Sequence, residues 1–253
     1  MNPISVGFFS MSSAPLSGDE DAYLRWHLLD HMPEQYSIPG IRLATRWRAD
    51  DACVAARLAV SPDLDPVRHA VAYFMTEPVT DTLTAFARLG RKAAELGRYP
   101  EPATSHLLGA FHLQEGVAAP RVLVSGEAVP FRAHRGVVLL VEAIGDGDVS
   151  AWARWHHTEH LPALLQAPGV AGAYVFRTST LLGVGADQGE RFGMPMWNPG
   201  QRFVTVVYLD DDVVATTHAL EPLLRTRWES GAVTPELAAP FRSMLTYEAW
   251  PER

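Results

Sequence analysis

Two stretches of the chain set histidines one helical turn apart. The first reads Tyr23-Leu-Arg-Trp-His-Leu-Leu-Asp-His-Met-Pro and runs on to Ile38-Pro-Gly-Ile; the second reads Trp152-Ala-Arg-Trp-His-His-Thr-Glu-His-Leu-Pro and runs on to Ala167-Pro-Gly-Val. With about 100° of turn per helical residue, His27 and His31 share one face, as do His156 and His160. Tyr23 and Trp152 extend the stripe at one end, and Asp30 and Glu159 join it three residues after each leading histidine. Such a stripe suits acid–base chemistry: an imidazole titrating near neutrality gives or takes a proton while a carboxylate fixes its tautomer. It also suits a metal, since His156-x-x-Glu159-His160 matches the inverted zinc-protease pattern and His27-x-x-Asp30-His31 is its near copy. A third ligand is needed for that, and none at a diagnostic distance stands out. A purely structural use remains open, with His31 and His160 bonding the backbone before the Pro-Gly turn and Arg25, Asp30 and their counterparts in surface ion pairs worth under ~1 kcal/mol. The expected catalytic set is His27, His31, His156 and His160, with Asp30 and Glu159 as orienting carboxylates. Tyr23, Trp26, Trp152 and Trp155 are the expected substrate-binding wall, and no metal is assigned.

The two stretches are copies at a constant offset of 129 positions, with seven identities over nineteen residues: Arg25/Arg154, Trp26/Trp155, His27/His156, His31/His160, Pro33/Pro162, Pro39/Pro168 and Gly40/Gly169. Average composition gives roughly one such identity by chance. The elements that position the motifs recur in one order. An apolar strand comes first (4–9 and 137–143), then the motif helix (19–36 and 149–166) closed by Pro-Gly. Two strands follow (43–47 and 70–75; 173–177 and 203–209), with Tyr73 and Tyr208 in similar places. A second helix (80–96 and 213–228) and a last strand (107–113 and 244–250) complete each copy. The order βαββαβ is that of a ferredoxin-like unit, so the expected division is 1–113 and 136–253 around a linker at 114–135, with a short β stretch at 122–124.

In the second copy, residues 181–201 hold five spaced glycines with Met194, Met196 and Trp197. They lack the strand-to-helix setting of a phosphate loop, and read as a long surface loop or as a flap that adds those three side chains to a substrate pocket. His69, His106 and His112 lie at strand ends, where surface placement is the expectation. His157 has no counterpart in the first copy, where Leu28 stands, which favours the second copy if one half alone works.

Composition bounds the rest. The chain has 253 residues, 47% hydrophobic, and 21 basic against 29 acidic side chains for a net charge of -8. That content supports a packed core and argues against a nucleic-acid binder. The single Cys53 excludes internal disulfides and Cys-based metal cages. No signal-peptide pattern or membrane-length apolar run occurs, so a cytoplasmic protein is expected.

The early helix Trp-His-x-x-x-His-x-Pro followed by Pro-Gly and a strand resembles the EthD-like branch of the dimeric α+β barrel superfamily, in both halves of the chain. The resemblance implies an α+β fold: two tandem ferredoxin-like units forming a pseudo-dimeric barrel within one chain. It further implies small-molecule chemistry, since the superfamily holds cofactor-free polyketide cyclases, monooxygenases, isomerases, lyases and dehydratases, and also haem proteins. The expected function is therefore proton transfer (cyclisation, dehydration, isomerisation or another elimination) on an apolar aromatic or polyketide-like substrate. No cofactor is expected, since no phosphate-cradling loop exists, and a homodimer is compatible with the sequence. A haem- or metal-dependent oxygenase or lyase, and a non-catalytic ligand-binding or scaffold protein, are the alternatives.

Overall fold

The computed structural model describes residues 4–15, 18–99, 103–178, 201–229 and 231–244. Among them nine strands form one antiparallel sheet: β1 Val6–Pro15, β2 Ile41–Arg48, β3 Ala59–Val60, β4 His69–Met75, β5 Ala103–Ala118, β6 Gly136–Ile144, β7 Val170–Thr178, β8 Arg202–Leu209 and β9 Val233–Ser243. The strand order is β2-β4-β1-β5-β7-β8-β6-β9-β3, and a further pairing of β2 with β9, at Trp47↔Ser243 and Arg48↔Arg242, closes eight strands into a ring. Within each half the strands lie in the same relative order, β2-β4-β1-β5 and β7-β8-β6-β9. The halves join along β5–β7 and at the short β2–β9 seam.

Helix α1 runs through Glu20–Trp26, His27–His31 and Met32–Tyr36, and α4 through Val149–Trp155, His156–His160 and Leu161–Gln166. Short α2 is Asp51–Ala55; α3 is Val79–Glu95 and α5 Val213–Glu229. Asp19 starts α1 by accepting from the Ala22 amide at 3.0 Å, and Asp148 starts α4 by accepting from Ser150 and Ala151.

The histidine segments of α1 and α4 are not α-helical. His27–His31 and His156–His160 form π turns, with Met32 N–H bonding His27 O and Leu161 N–H bonding His156 O, five residues back. Pro33 and Pro162 supply the reason: a proline inside a helix lacks its N–H and crowds the carbonyl four residues earlier. Widening the preceding turn relieves that crowding without ending the helix. Each pair of imidazoles stays on one face, with ring centroids 5.7 Å apart for His27–His31 and 5.3 Å for His156–His160.

The Pro-Gly pairs end these helices against α3 and α5. Gly40 and Gly169 have φ of +97° and +85°, and a Cβ would fall 2.1 Å from Thr82 Oγ1 at Gly40 and 2.6 Å from Thr216 Oγ1 at Gly169. Only glycine fits both the conformation and the space.

Strand alternation divides the side chains between two layers. One face carries Phe9, Phe74, Phe111, Phe176 and Trp47 into a core shared by both halves, with Phe74 and Phe176 stacked at 5.7 Å. The other face of the first half carries Val6, Phe8, Ala44, Val71 and Tyr73 to Leu28 and Met32 of α1 and to Leu83 and Phe86 of α3. Aromatic and aliphatic side chains make up that shared core, and in the first half polar side chains collect between α1 and the sheet.

Several expected boundaries move. The last strand of the second half is Val233–Ser243 rather than 244–250, of which residues 245–250 lie outside the described residues. β5 continues to Ala118, four residues past Gln114, because Glu115–Ala118 pair with β7; Val122–Val124 is turn, not strand, and Gly126–Phe131 is a 3-10 turn. Tyr73 and Tyr208 occupy opposite faces: Tyr73 packs toward α1, while Tyr208 packs on Tyr174 and His134. A one-residue difference in register exchanges the two faces of a strand.

Candidate functional site

The first-half layer is assembled from α1 above and β2 and β4 below. Alternation on β4 points His69 and Tyr73 at the helix, and β2 sends Arg46 to the same side as Ala44. Facing them, α1 contributes Tyr23, His27, His31 and Gln35. Tyr73 Oη lies 3.2 Å from His27 Nε2, and Gln35 Nε2 lies 2.9 Å from His31 Nε2. His27 and His31 are 5% and 8% exposed; Arg46 and His69 are fully buried.

These groups are short of partners. Among the described residues none of the three guanidinium nitrogens of Arg46 has a hydrogen bond, nor do His27 Nδ1 and Gln35 Oε1. Arg46 lies over the Tyr23 ring, 4.9 Å from its centroid. His69 Nε2 is 2.8 Å from Glu20 Oε1 but off the line of a hydrogen bond, and Glu20 turns its other oxygen to Arg48. Burial drives the His27 imidazole well below its ordinary range, and Arg46, His31 and His69 push the same way. Burial also lowers His31 to about 4, against a smaller opposing pull from Glu34. His69 falls to about 3 through burial, then Arg46 and Arg48. All three are neutral near pH 7. Trp26 stacks on His31 at 4.7 Å and Tyr99 meets it at 5.3 Å. A cleft of about 480 Å³ reaches His31 past Trp26, Asp30, Glu34 and Arg98.

The second half answers the same problem differently. Arg227 of α5 and Glu142 of β6, both fully buried, pair through two bonds of 2.7 and 2.6 Å. Trp228 Nε1 donates to the same carboxylate at 2.8 Å. Arg227 Nη1 also donates to His156 Nδ1 at 2.7 Å, which places the imidazole proton on Nε2, an atom without a partner. Trp152 stacks on His156 at 5.2 Å and sits under Arg227, while Trp155 stacks on His160 at 5.1 Å. Burial, then Arg227, brings His156 down to about 2 and His160 to about 3.

No protein-family model and no curated protein matches the chain. Solved structures do. A candidate chlorite dismutase is 15% identical, with 94% of this chain and 95% of that one covered and a TM-score of 0.56. An anthrone oxidase-like protein is 10% identical over 94% and 91%, with a TM-score of 0.54. A candidate monooxygenase from Fusobacterium nucleatum is 6% identical over 96% and 94%, with a TM-score of 0.53. The chain shares with these structures a mixed α+β fold built on a large antiparallel sheet. At these identities the likeness concerns the fold, and the chemistry has to be argued from side chains.

On this α+β fold the four expected histidines fall into two buried pairs, one per half, each with an aromatic stacked on its second member. His156 and His160, both in the expected catalytic set, are only 4% and 3% exposed. Asp30 and Glu159 are exposed, and neither bonds a histidine among the described residues; Tyr73, Gln35 and Arg227 approach the imidazoles instead. The π turns rotate those two carboxylates off the stripe that α-helical spacing gave them. Tyr23, Trp26, Trp152 and Trp155 all touch a histidine ring. Met194, Met196 and Trp197 lie outside the described residues. His157 is exposed and pairs with Glu115 at 2.7 Å, which raises its pKa. His69 is buried, against the expected surface position. Among the described residues no three His, Cys, Asp or Glu side chains gather as a metal-binding group, and no helix is long and apolar enough to cross a membrane. Sequence reasoning missed Arg46, Glu142 and Arg227. The available signal was charge on apolar strands, Arg46 within Leu43–Trp47 and Glu142 at the end of Val137–Val141.

Proposed function

We propose that this protein is a cofactor-independent enzyme that removes a proton from a small, largely apolar aromatic or polyketide-like compound in the helix–sheet layer of its first half. The observation that carries this is the meeting, in one buried layer, of a neutral imidazole with an unbonded nitrogen and a guanidinium with no hydrogen-bond partner among the described residues. In the tautomer whose Nε2–H donates to Tyr73 Oη, His27 Nδ1 holds a free lone pair and takes the substrate's C–H or O–H proton. The electron pair stays on the substrate as an enolate or phenolate, and Arg46 balances that charge in a medium of low dielectric. His27 is a weak base while the layer is empty, and the substrate's growing negative charge raises its basicity as the proton moves. His31, held by Gln35 in the cleft wall under Trp26, lines the approach.

Cyclisation, dehydration, isomerisation and other eliminations all begin with this step. So does oxidation by dioxygen as co-reactant, which the names of the monooxygenase and anthrone oxidase-like neighbours favour as a second outcome. We read the two halves as tandem ferredoxin-like units, 1–113 and 136–253, that arose by duplication. Their shared strand order, paired π turns and matched Gly40–Thr82 and Gly169–Thr216 contacts support that reading.

The test is deuterium wash-in at the methylene carbon of anthrone, followed by mass spectrometry under nitrogen. Wild-type protein should accelerate exchange over buffer; a rate equal to that of buffer, across a panel of anthrones and aromatic β-ketoacids, would refute the proposal.

A further inference from the structure

The two halves contain two buried arginines, each beside the leading histidine of its π turn and each over the aromatic four residues before that histidine. Arg227 lies 4.5 Å over Trp152 and bonds His156; Arg46 lies 4.9 Å over Tyr23 and acts on His27. The arginines come from different elements, α5 and β2, so they are analogous in place rather than aligned in sequence. One difference separates them. Arg227 holds a carboxylate in a two-bond fork, that of Glu142, whereas all three nitrogens of Arg46 are buried and unbonded among the described residues.

We propose that the first half binds an exogenous carboxylate on Arg46, as the second half binds its own Glu142 on Arg227. A buried guanidinium without a counter-ion is costly, and a planar carboxylate satisfies two of its donors at once. The surroundings define the rest of the ligand. Tyr23, Trp26 and Tyr73 offer aromatic faces and edges, so the ligand is a small aromatic or otherwise apolar carboxylic acid rather than a sugar acid or phosphate. The second half is then a self-filled counterpart, and one ligand binds per chain.

This rests on reading the first-half layer as the working site, and it names the substrate class of that site. The probe is benzoate, titrated calorimetrically against the full chain, with benzamide as the uncharged isostere. Wild type should bind one equivalent of benzoate and leave benzamide unbound, and Arg46→Met should weaken benzoate roughly 30-fold or more, the scale of a truncated buried ion pair. Glu142→Ala should add a second equivalent by freeing Arg227; if that variant does not fold, the Arg46→Met comparison decides. No benzoate binding, equal binding of benzamide, or affinity unchanged in Arg46→Met would each overturn the proposal. Binding is read without turnover. Benzoate bound on Arg46 with no proton exchange on any substrate would therefore refute the enzymatic reading alone, and exchange without benzoate binding would refute the carboxylate alone.

Discussion

The same substitution, Arg→Met, should act with opposite sign in the two halves. Arg46 and Arg227 are both fully buried, but among the described residues Arg227 has a carboxylate partner and Arg46 has none. Removing Arg227 leaves the buried Glu142 carboxyl with Trp228 as its one remaining side-chain partner among the described residues, a loss of about 3–5 kcal/mol by the general behaviour of broken buried pairs. Removing Arg46 relieves an uncompensated buried charge and puts an apolar chain of similar volume in its place. The gain from replacing buried charge runs to about 1–4 kcal/mol, reduced by the cation–π contact with Tyr23, which is worth up to about 2 kcal/mol when desolvated. With the full cation–π loss, the expected net for Arg46→Met without ligand is a stabilisation of up to about 2 kcal/mol, or up to roughly 8 °C in Tm for a chain of this length. Urea unfolding and thermal melts of both variants, at pH 7.5 with no carboxylate buffer, read the difference. If Arg46→Met loses about as much stability as Arg227→Met, then Arg46 has a counter-ion of its own and the reasoning fails.

Three further outcomes follow from the geometry. Folding holds His31 at about 4, His69 and His160 at about 3 and His156 at about 2, all below the ordinary 6.5. The stability that the neutral forms contribute is therefore complete above pH 6.5 and falls as pH drops toward those values, at up to about 1.4 kcal/mol per pH unit for each group; chemical denaturation between pH 7 and 4.5 should show this slope, made shallower by one proton in His31→Asn, and a flat profile would contradict the burial of these rings. Gly40→Ala should cost about 1–3 kcal/mol, since it adds a positive-φ penalty to a clash with Thr82; a melting temperature equal to wild type would show that the turn relaxes freely. Asp30→Asn and Glu159→Gln should leave substrate exchange within about twofold of wild type, because both carboxylates are exposed; a loss of tenfold in either would restore the orienting role that the sequence suggests.

Most of the element order was legible because rare residues repeat. Trp, His, Pro and Gly at fixed spacing marked the helix and its end in both halves, and apolar runs marked β2, β4, β6, β7 and β8 to within a few residues. The π turn was present in the sequence as Pro33 and Pro162, but helical spacing treats such a proline as neutral, so Asp30 and Glu159 were assigned to the wrong side. The last strand of the second half was misplaced because Val233–Ser243 carries Pro235, Glu236 and Pro240, which dilute its apolar pattern. The histidine pairs were found from the sequence. Their partners were not, since Arg46, Tyr73, Glu142 and Arg227 come from distant elements and only sheet pairing and helix docking bring them to the imidazoles. The contrast between the halves, an open guanidinium in one and a filled one in the other, depends on the strand faces that Arg46 and Glu142 take and on how α5 docks Arg227.

The most direct test of the first-half assignment is the rate of deuterium wash-in for His27→Ala and His156→Ala, measured on folded preparations against wild type with the substrate that exchanges fastest. The expected result is a loss of about 10²–10⁴-fold in His27→Ala, and in His156→Ala a rate that follows only its folded fraction. Wild-type exchange in His27→Ala, or the larger loss in His156→Ala, would contradict it.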